Sequence, residues 1–256
     1  MRIIRSVRAW RRLKRGGAFR GKDIGFVPTM GALHEGHLSL IRRAKKENDL
    51  AVASIFVNPT QFNDKKDLQR YPRTLADDAK KLALAGTDLL FLPDYRGMYP
   101  DDYRYRVSEN SESRLLCGAF RPGHFDGVLT VVMKLLNIIG ANRAYFGEKD
   151  YQQYVLIQGM AEAFFLDTEI IPCRIVREAD GLAMSSRNAL LNPAERALAP
   201  EFRRTLSAPG STDAIKKKLA AAGLRPEYVE ERWGRRLAAV KIGKIRLIDN
   251  IRIRRA

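Results

Sequence analysis

Only two cysteines and three histidines occur in the 256 residues. Cys117 and Cys173 lie far apart, without partners at metal-ligand spacing, which argues against a disulfide framework or a zinc site and makes a reducing cytoplasm the expected setting. The sequence also lacks internal repeats, low-complexity segments and any apolar run long enough to span a bilayer, so a soluble chain is expected. Acids are scarce at both ends. Residues 1 to 22 carry nine Lys or Arg and no acid, and residues 188 to 256 carry sixteen against seven, while the middle balances 21 against 22. The net charge of +17 is therefore a property of the ends, and no RNA-binding motif accompanies it. An Arg-rich, acid-free N-terminus also has the look of an organelle-targeting segment. Serine is scarce there, however, and Arg2-Ile3-Ile4-Arg5 reads as a short strand before an amphipathic helix through Val7, Trp10 and Leu13.

What is present alternates. Ile24 to Pro28 is a short apolar run, His37 to Lys46 has helical spacing through Leu38, Leu40 and Ile41, and Leu50 to Val57 is a second apolar run. That is a βαβ unit, and it implies a parallel sheet with crossover helices. Asp88 to Leu92, Ala144 to Phe146 and Glu169 to Val176 are further strand candidates, with helices over Val128 to Ile139 and Gln152 to Phe164. Ligands of such a sheet bind beyond the carboxyl ends of its strands, which directs the search to the loops after Val27, Val57, Phe146 and Val176. After Asn188 several prolines break short helical pieces before Arg236 to Ile253, which reads as strands. The expected organisation is a main α/β part over 1–187 and a small α+β part over 188–256.

Two of the three histidines stand in Met30-Gly31-Ala32-Leu33-His34-Glu35-Gly36-His37, where a strand, a loop and a helix N-terminus meet. Free backbone N–H groups and the helix dipole favour phosphate there, Gly36 permits close approach, and two imidazole donors can stabilise charge on one phosphorus. A lone histidine on an apolar stretch is usually structural. Two in one turn beside glycine are better read as phosphate contacts. Far along the chain, Arg177-Glu178-Ala179-Asp180-Gly181-Leu182-Ala183-Met184-Ser185-Ser186-Arg187-Asn188 offers two hydroxyls and an arginine that can hold a triphosphate. Either segment alone could be an ordinary polar loop; together they are the paired signature of the HxGH nucleotidyltransferases.

Four further segments narrow the resemblance: Phe56-Val57-Asn58-Pro59-Thr60-Gln61-Phe62, Tyr71-Pro72-Arg73-Thr74, Arg121-Pro122-Gly123-His124-Phe125-Asp126-Gly127-Val128 and Tyr145-Phe146-Gly147-Glu148-Lys149-Asp150-Tyr151-Gln152-Gln153. With these, the sequence closely resembles the pantoate-beta-alanine ligase family from Arg2 to about Asn192 and again over Arg236 to Ile251, which ends in Arg246-Leu247-Ile248-Asp249-Asn250. The resemblance implies a Rossmann-like doubly wound parallel sheet with a small C-terminal cover. It also implies an ATP-dependent ligase that joins pantoate to beta-alanine through pantoyl-adenylate, releasing AMP and pyrophosphate.

Carried over by position, the resemblance makes His34, His37, Lys149, Ser185, Ser186 and Arg187 the catalytic phosphate contacts, with Met30, Gly36, Gly147, Asp150, Val176 and Met184 completing the ATP site. Gln61 and Gln153 would hold pantoate, and Asn58 and Arg121 would lie near the pyrophosphate or the incoming amine. Asp77 or Asp78 would assist the Mg2+ that accompanies ATP, against an equally weighted reading as a solvated helix face. His124 reads as structural, and both cysteines as packing residues. No organic cofactor, no membrane and no specific nucleic acid are expected, and the family suggests a homodimer. The sequence departs from the family at Cys117, where a glutamate is often found, and between Leu198 and Arg235, where the chain is shorter. A nucleotidyltransferase that adenylates another small acceptor ranks second, because Gln61 and Gln153 suit a small hydroxy acid better than a phosphorylated one. A basic nucleic-acid-binding protein is the non-enzyme alternative.

Overall fold

Short apolar runs become the strands of a parallel sheet because each alternates its side chains between two helix-covered faces. The computed structural model describes residues 1–253; the last three residues of the C-terminal part, Arg254 and Arg255 among them, lie outside the described residues. In chain order the main part contains β1 (Arg2–Ile4), α1 (Val7–Arg15), β2 (Ile24–Thr29), α2 (Glu35–Glu47), β3 (Leu50–Ile55), α3 (Lys65–Arg70), α4 (Leu75–Leu84) and β4 (Leu89–Phe91). It continues through α5 (Tyr95–Met98), α6 (Cys117–Phe120), α7 (His124–Ile139), β5 (Arg143–Gly147), α8 (Tyr151–Ala163) and β6 (Glu169–Cys173). The strand order is β1-β4-β3-β2-β5-β6, all pairs parallel. From β2 the chain winds outward through β3 and β4, then crosses back to β5 and β6 on the other side. The switch point between β2 and β5 opens a crevice at their carboxyl ends.

The pleat sorts the core into two layers. Ile24, Phe26, Phe91, Ala144 and Phe146 face Trp10 of α1 and the apolar sides of α7 and α8, whereas Val27, Ala53, Leu90 and Tyr145 face Leu40, Ile41 and Ala44 of α2 and Leu82 of α4. Gly25 has no room for more: a Cβ there would sit 2.5 Å from the Asn48 side-chain amide.

The C-terminal part holds α9 (Pro193–Leu198), α10 (Pro200–Leu206), α11 (Thr212–Ala221) and an antiparallel meander of β7 (Arg225–Arg232), β8 (Arg235–Ile242) and β9 (Ile245–Arg252) around its own apolar cluster. The strand β7 lies in the stretch expected to be broken helix. Its sequence hides it, because only Tyr228 and Val229 are buried and charged residues surround them. Pairing with β8 supplies what propensity does not, through a two-residue turn in which Trp233 and Gly234 both take positive φ, the mirror-image geometry that suits twisted hairpins. The other differences are at ends. The strand β6 stops at Cys173 rather than Val176, and α7 starts four residues earlier than its apolar spacing suggests.

Candidate active site

The turn after β2 is set by its own side chains. Thr29 Oγ1 donates to Ser54 O at 2.7 Å and accepts from Gly31 N, after which Gly31 and Ala32 both adopt positive φ. That unfavourable course is held by Asp78 of α4, whose two carboxylate oxygens accept from Ala32 N (2.9 Å), Leu33 N (2.8 Å) and Thr74 Oγ1 (3.1 Å). Lys81 Nζ adds a bond to Leu33 O at 3.0 Å. Asp77 and Asp78, expected to assist Mg2+, are not brought to the main pocket. Asp78 is buried and its oxygens are taken by backbone amides, Asp77 pairs with Lys81 at the surface, and neither lines the main pocket. Among the described residues no cluster of three His, Cys, Asp or Glu could hold a metal.

At the start of α2 the two histidines cap the helix reciprocally. His34 Nδ1 accepts from Gly36 N at 3.2 Å, and His37 Nδ1 accepts from His34 N at 3.4 Å. An Nδ1 that accepts is unprotonated, so the proton of each neutral imidazole sits on Nε2. Burial, reinforced by Lys149, lowers His34 to about 4, and burial together with His34 lowers His37 to about 3. Both rings are therefore neutral Nε2–H donors at physiological pH, with centroids 4.1 Å apart.

These rings line a pocket of about 230 Å³ at the β2–β5 crevice, together with Met30, Gly36, Asn58, Gln61, Gly147, Lys149, Asp150, Gln153, Val176, Met184, Ser185, Ser186 and Arg187. All twelve residues expected around ATP and both glutamines expected around pantoate are thus brought together. Lys149 and Asp150 come from the turn after β5, their charged groups 3.7 Å apart. Gln61 Nε2 donates to Met30 Sδ and its Oε1 accepts from Asn58 Nδ2, whereas the Gln153 side chain makes no hydrogen bond among the described residues. Asn58 is buried and fully engaged with Gln61, Gly127 O, Thr60 and Tyr99, which makes it a support of the pocket wall.

Arg121 is not in this pocket. It lines a smaller adjoining cavity and donates to Gln61 O at 3.3 Å, while His124 Nδ1 lies 2.8 Å from the same carbonyl and its Nε2 3.0 Å from Arg121. The Arg-Pro-Gly-His-Phe turn therefore holds the Gln61 backbone. Gly127 completes that contact, since a Cβ there would stand 2.5 Å from Thr60 O.

The Arg177–Asn188 loop is anchored from outside. Arg177 forms a bidentate pair with Asp249 of β9 (2.7 and 2.9 Å) and also bonds Gly181 O, which fixes the base of the loop. Asn250 Nδ2 donates to Glu148 O and Lys149 O, and Arg235 pairs with buried Glu148 at 2.6 Å. Asp249 and Asn250 thus tie both pocket-lining segments to the small sheet, a role not visible in their sequence, where they read only as the end of a matching motif. Arg187 lies 3.1 Å from Asp67 of α3 across the pocket mouth.

A family model described as pantoate-beta-alanine ligase matches residues 2–252. The chain belongs to that family. Its relatives include the pantothenate synthetase of Bdellovibrio bacteriovorus, 54% identical over 245 residues that cover 96% of this chain and 95% of the relative. The pantothenate synthetase of Legionella pneumophila strain Lens is 50% identical over 98% of this chain and 99% of its own. Among solved structures, the pantoate-beta-alanine ligase from Francisella tularensis, complexed with beta-gamma ATP and beta-alanine, superposes with a TM-score of 0.93 at 42% identity, covering 98% and 97% of the two chains. Against that family background the Cys117 departure has a local account. The thiol lies 3.1 Å from the Tyr228 hydroxyl and 3.4 Å from the Arg246 guanidinium, and Glu227 meets the Arg246 charge at 2.7 Å.

Proposed function

We propose that this chain condenses pantoate with beta-alanine, using ATP and passing through pantoyl-adenylate. The observation that carries the reading is the reciprocal histidine cap. It engages both Nδ1 atoms and leaves Nε2–H as the donor on two rings that line the same pocket as Lys149, the Ser185–Arg187 loop, Gln61 and Gln153. In the first step a pantoate carboxylate oxygen bonds to the α-phosphorus of ATP as the bond to the bridging oxygen breaks, and pyrophosphate leaves. Donors fixed before the reaction stabilise the charge that builds on the phosphoryl oxygens, so the work is positioning and electrostatics. In the second step the neutral amine of beta-alanine attacks the acyl carbon, AMP leaves, and the amine proton passes to solvent. No side-chain nucleophile takes part.

Mg2+ enters as the counter-ion of ATP, carried by substrate. With Asp77 and Asp78 engaged elsewhere the residues do not fit a protein-held site, and Mg2+ readily keeps waters and phosphate oxygens as ligands. The residues from 188 onward act as a cover over the 1–187 part, excluding water from the adenylate. Family membership supports a homodimer working in the cytoplasm, and no helix among the described residues is long and apolar enough to cross a membrane.

The test follows AMP and pyrophosphate with pantoate, beta-alanine and ATP supplied singly and together. Pyrophosphate release that needs pantoate but not beta-alanine is expected; ADP and phosphate as products would replace the adenylate with an acyl phosphate. Calorimetry locates the substrates: Gln153→Ala should weaken pantoate by about 1 to 3 kcal/mol and leave ATP unaffected, and Lys149→Ala should do the reverse.

A further inference from the structure

The helix α7 separates two concavities. Val128, Val131, Val132 and Leu135 face the ATP pocket, whereas Met133, Lys134, Asn137 and Ile138 face a second, larger groove of about 1100 Å³ that shares no residue with it. The opposite wall is α1 and the start of α5, which contribute Arg8, Arg11, Arg12, Arg15 and Arg96, all exposed. No acid lines this groove. Among the described residues none of the five arginines forms an ion pair or a side-chain hydrogen bond, and only Lys134 is engaged, with Asp101 at 2.9 Å. Five like charges converging on one groove repel one another, and an anionic occupant offsets that repulsion.

From this we infer that the α1–α7 groove binds the sugar–phosphate backbone of a nucleic-acid strand, without reading its sequence. Between apolar side chains and glycines, the charged groups of the walls are all cationic donors, and Asn137 is the one uncharged polar side chain among them. A phosphate backbone offers acceptors and matches such walls, whereas a peptide brings its own N–H groups and finds little to receive them. A concave site also favours a strand over a flat bilayer. Arg8, Arg12 and Arg15 follow one another at i, i+4 and i+7 on α1, a span of about 10 Å, which on a duplex is about three phosphates of one strand. Guanidinium forks engage phosphate in bidentate fashion. No aromatic side chain lines the groove to stack a base, so contact stops at the backbone and carries no sequence information.

The test measures anisotropy of a labelled oligouridylate of about 20 nucleotides between about 50 and 200 mM salt, the range in which phosphate contacts reveal themselves. The full chain is compared with Arg8→Gln/Arg12→Gln/Arg15→Gln and with Lys216→Gln/Lys217→Gln/Lys218→Gln, three exposed lysines on α11 that remove the same charge far from the groove. The arginine variant should lower the slope of log affinity against log salt by about 2, from three lost contacts at about 0.7 each, while ligase turnover and the response to the lysine variant change little. A DNA oligomer of random sequence should bind like the RNA. Equal losses in the two variants would reduce the effect to net charge and overturn the proposal. So would competition by polyglutamate as strong as by the oligonucleotide, which would make the partner an acidic polypeptide. A change in sedimentation of the arginine variant would also overturn it, because a second copy would then be what fills the groove.

Discussion

The two halves of the ATP site are built in opposite ways. The turn from Thr29 to His37 holds itself, with Thr29, His34 and His37 bonding backbone within a few residues and Asp78 pinning the two amides between them. The loop from Arg177 to Asn188 has short internal bonds but takes its position from distant residues: Asp249, Asn250, and Arg196 of α9, which pairs with Glu178 and Asp180. The half that carries the two histidines thus combines short-range caps with one long-range clamp from α4. The Arg177–Asn188 half is tied to the small sheet and to α9, so its position depends on the C-terminal part.

The strongest way to break that dependence is Asp249→Ala, which leaves Arg177 without its partner at the base of the loop. Removing one member of a buried pair costs about 3 to 5 kcal/mol, and Asp249 is buried while Arg177 is mostly so. Denaturant unfolding should show the loss, and the KM for ATP should rise in whatever fraction stays folded. Unchanged stability would detach the loop from the sheet. Next in size, His34→Ala and His37→Ala should each slow pantoate-dependent pyrophosphate release by about a hundredfold to a thousandfold, with melting temperature changed far less than in Asp249→Ala. A variant with near-normal release would turn the reciprocal cap into a purely structural device.

Asp78→Asn sharpens the comparison from the other side. An amide cannot accept with both of its polar atoms, so one of the Ala32 and Leu33 amides loses its partner, at about 1 to 3 kcal/mol. The expected signature is a lower kcat with an unaltered Mg2+ half-saturation, since the carboxylate acts through the backbone; a shifted Mg2+ dependence would restore it as a metal ligand.

The remaining effect is on pH, and it is spread over three rings. His34, His37 and His124 are lowered to about 4, 3 and 3 from 6.5, mainly by burial. As pH falls below 6.5 the unfolded chain takes up protons that the folded chain refuses until about 4 or 3. Stability from this source is therefore complete above 6.5 and declines as pH drops through the window beneath it. Melting temperature should hold level from about pH 8 to 7 and fall between about 6.5 and 5, above the carboxylate range. A level profile down to pH 5 would mean that the rings are more open to water than their packing indicates.

Much of the main sheet was legible because β2, β3 and β5 are buried on both faces and so read as unbroken apolar runs. The helices α3 and α4 were not, and the reason is visible in Asp78: an acidic residue beside Asp77 and one turn before Lys81 reads as solvated surface until the turn that it supports is placed against it. The strand β7 was missed because its ladder with β8, and not its own alternation, makes it a strand.

Sequence alone determined the parallel sheet and most of the membership of the pocket, the His34–His37 turn included, since these depend on local spacing and on residue chemistry that any fold must respect. Which imidazole nitrogen carries the proton, that Asp78 faces amides instead of solvent, and that Asp249 and Asn250 hold two loops from another sheet were decided only by the tertiary structure. The imidazole protons follow from cap geometry that spacing does not fix, and the Asp78, Asp249 and Asn250 contacts join partners 46 to 102 residues apart, which no local pattern records.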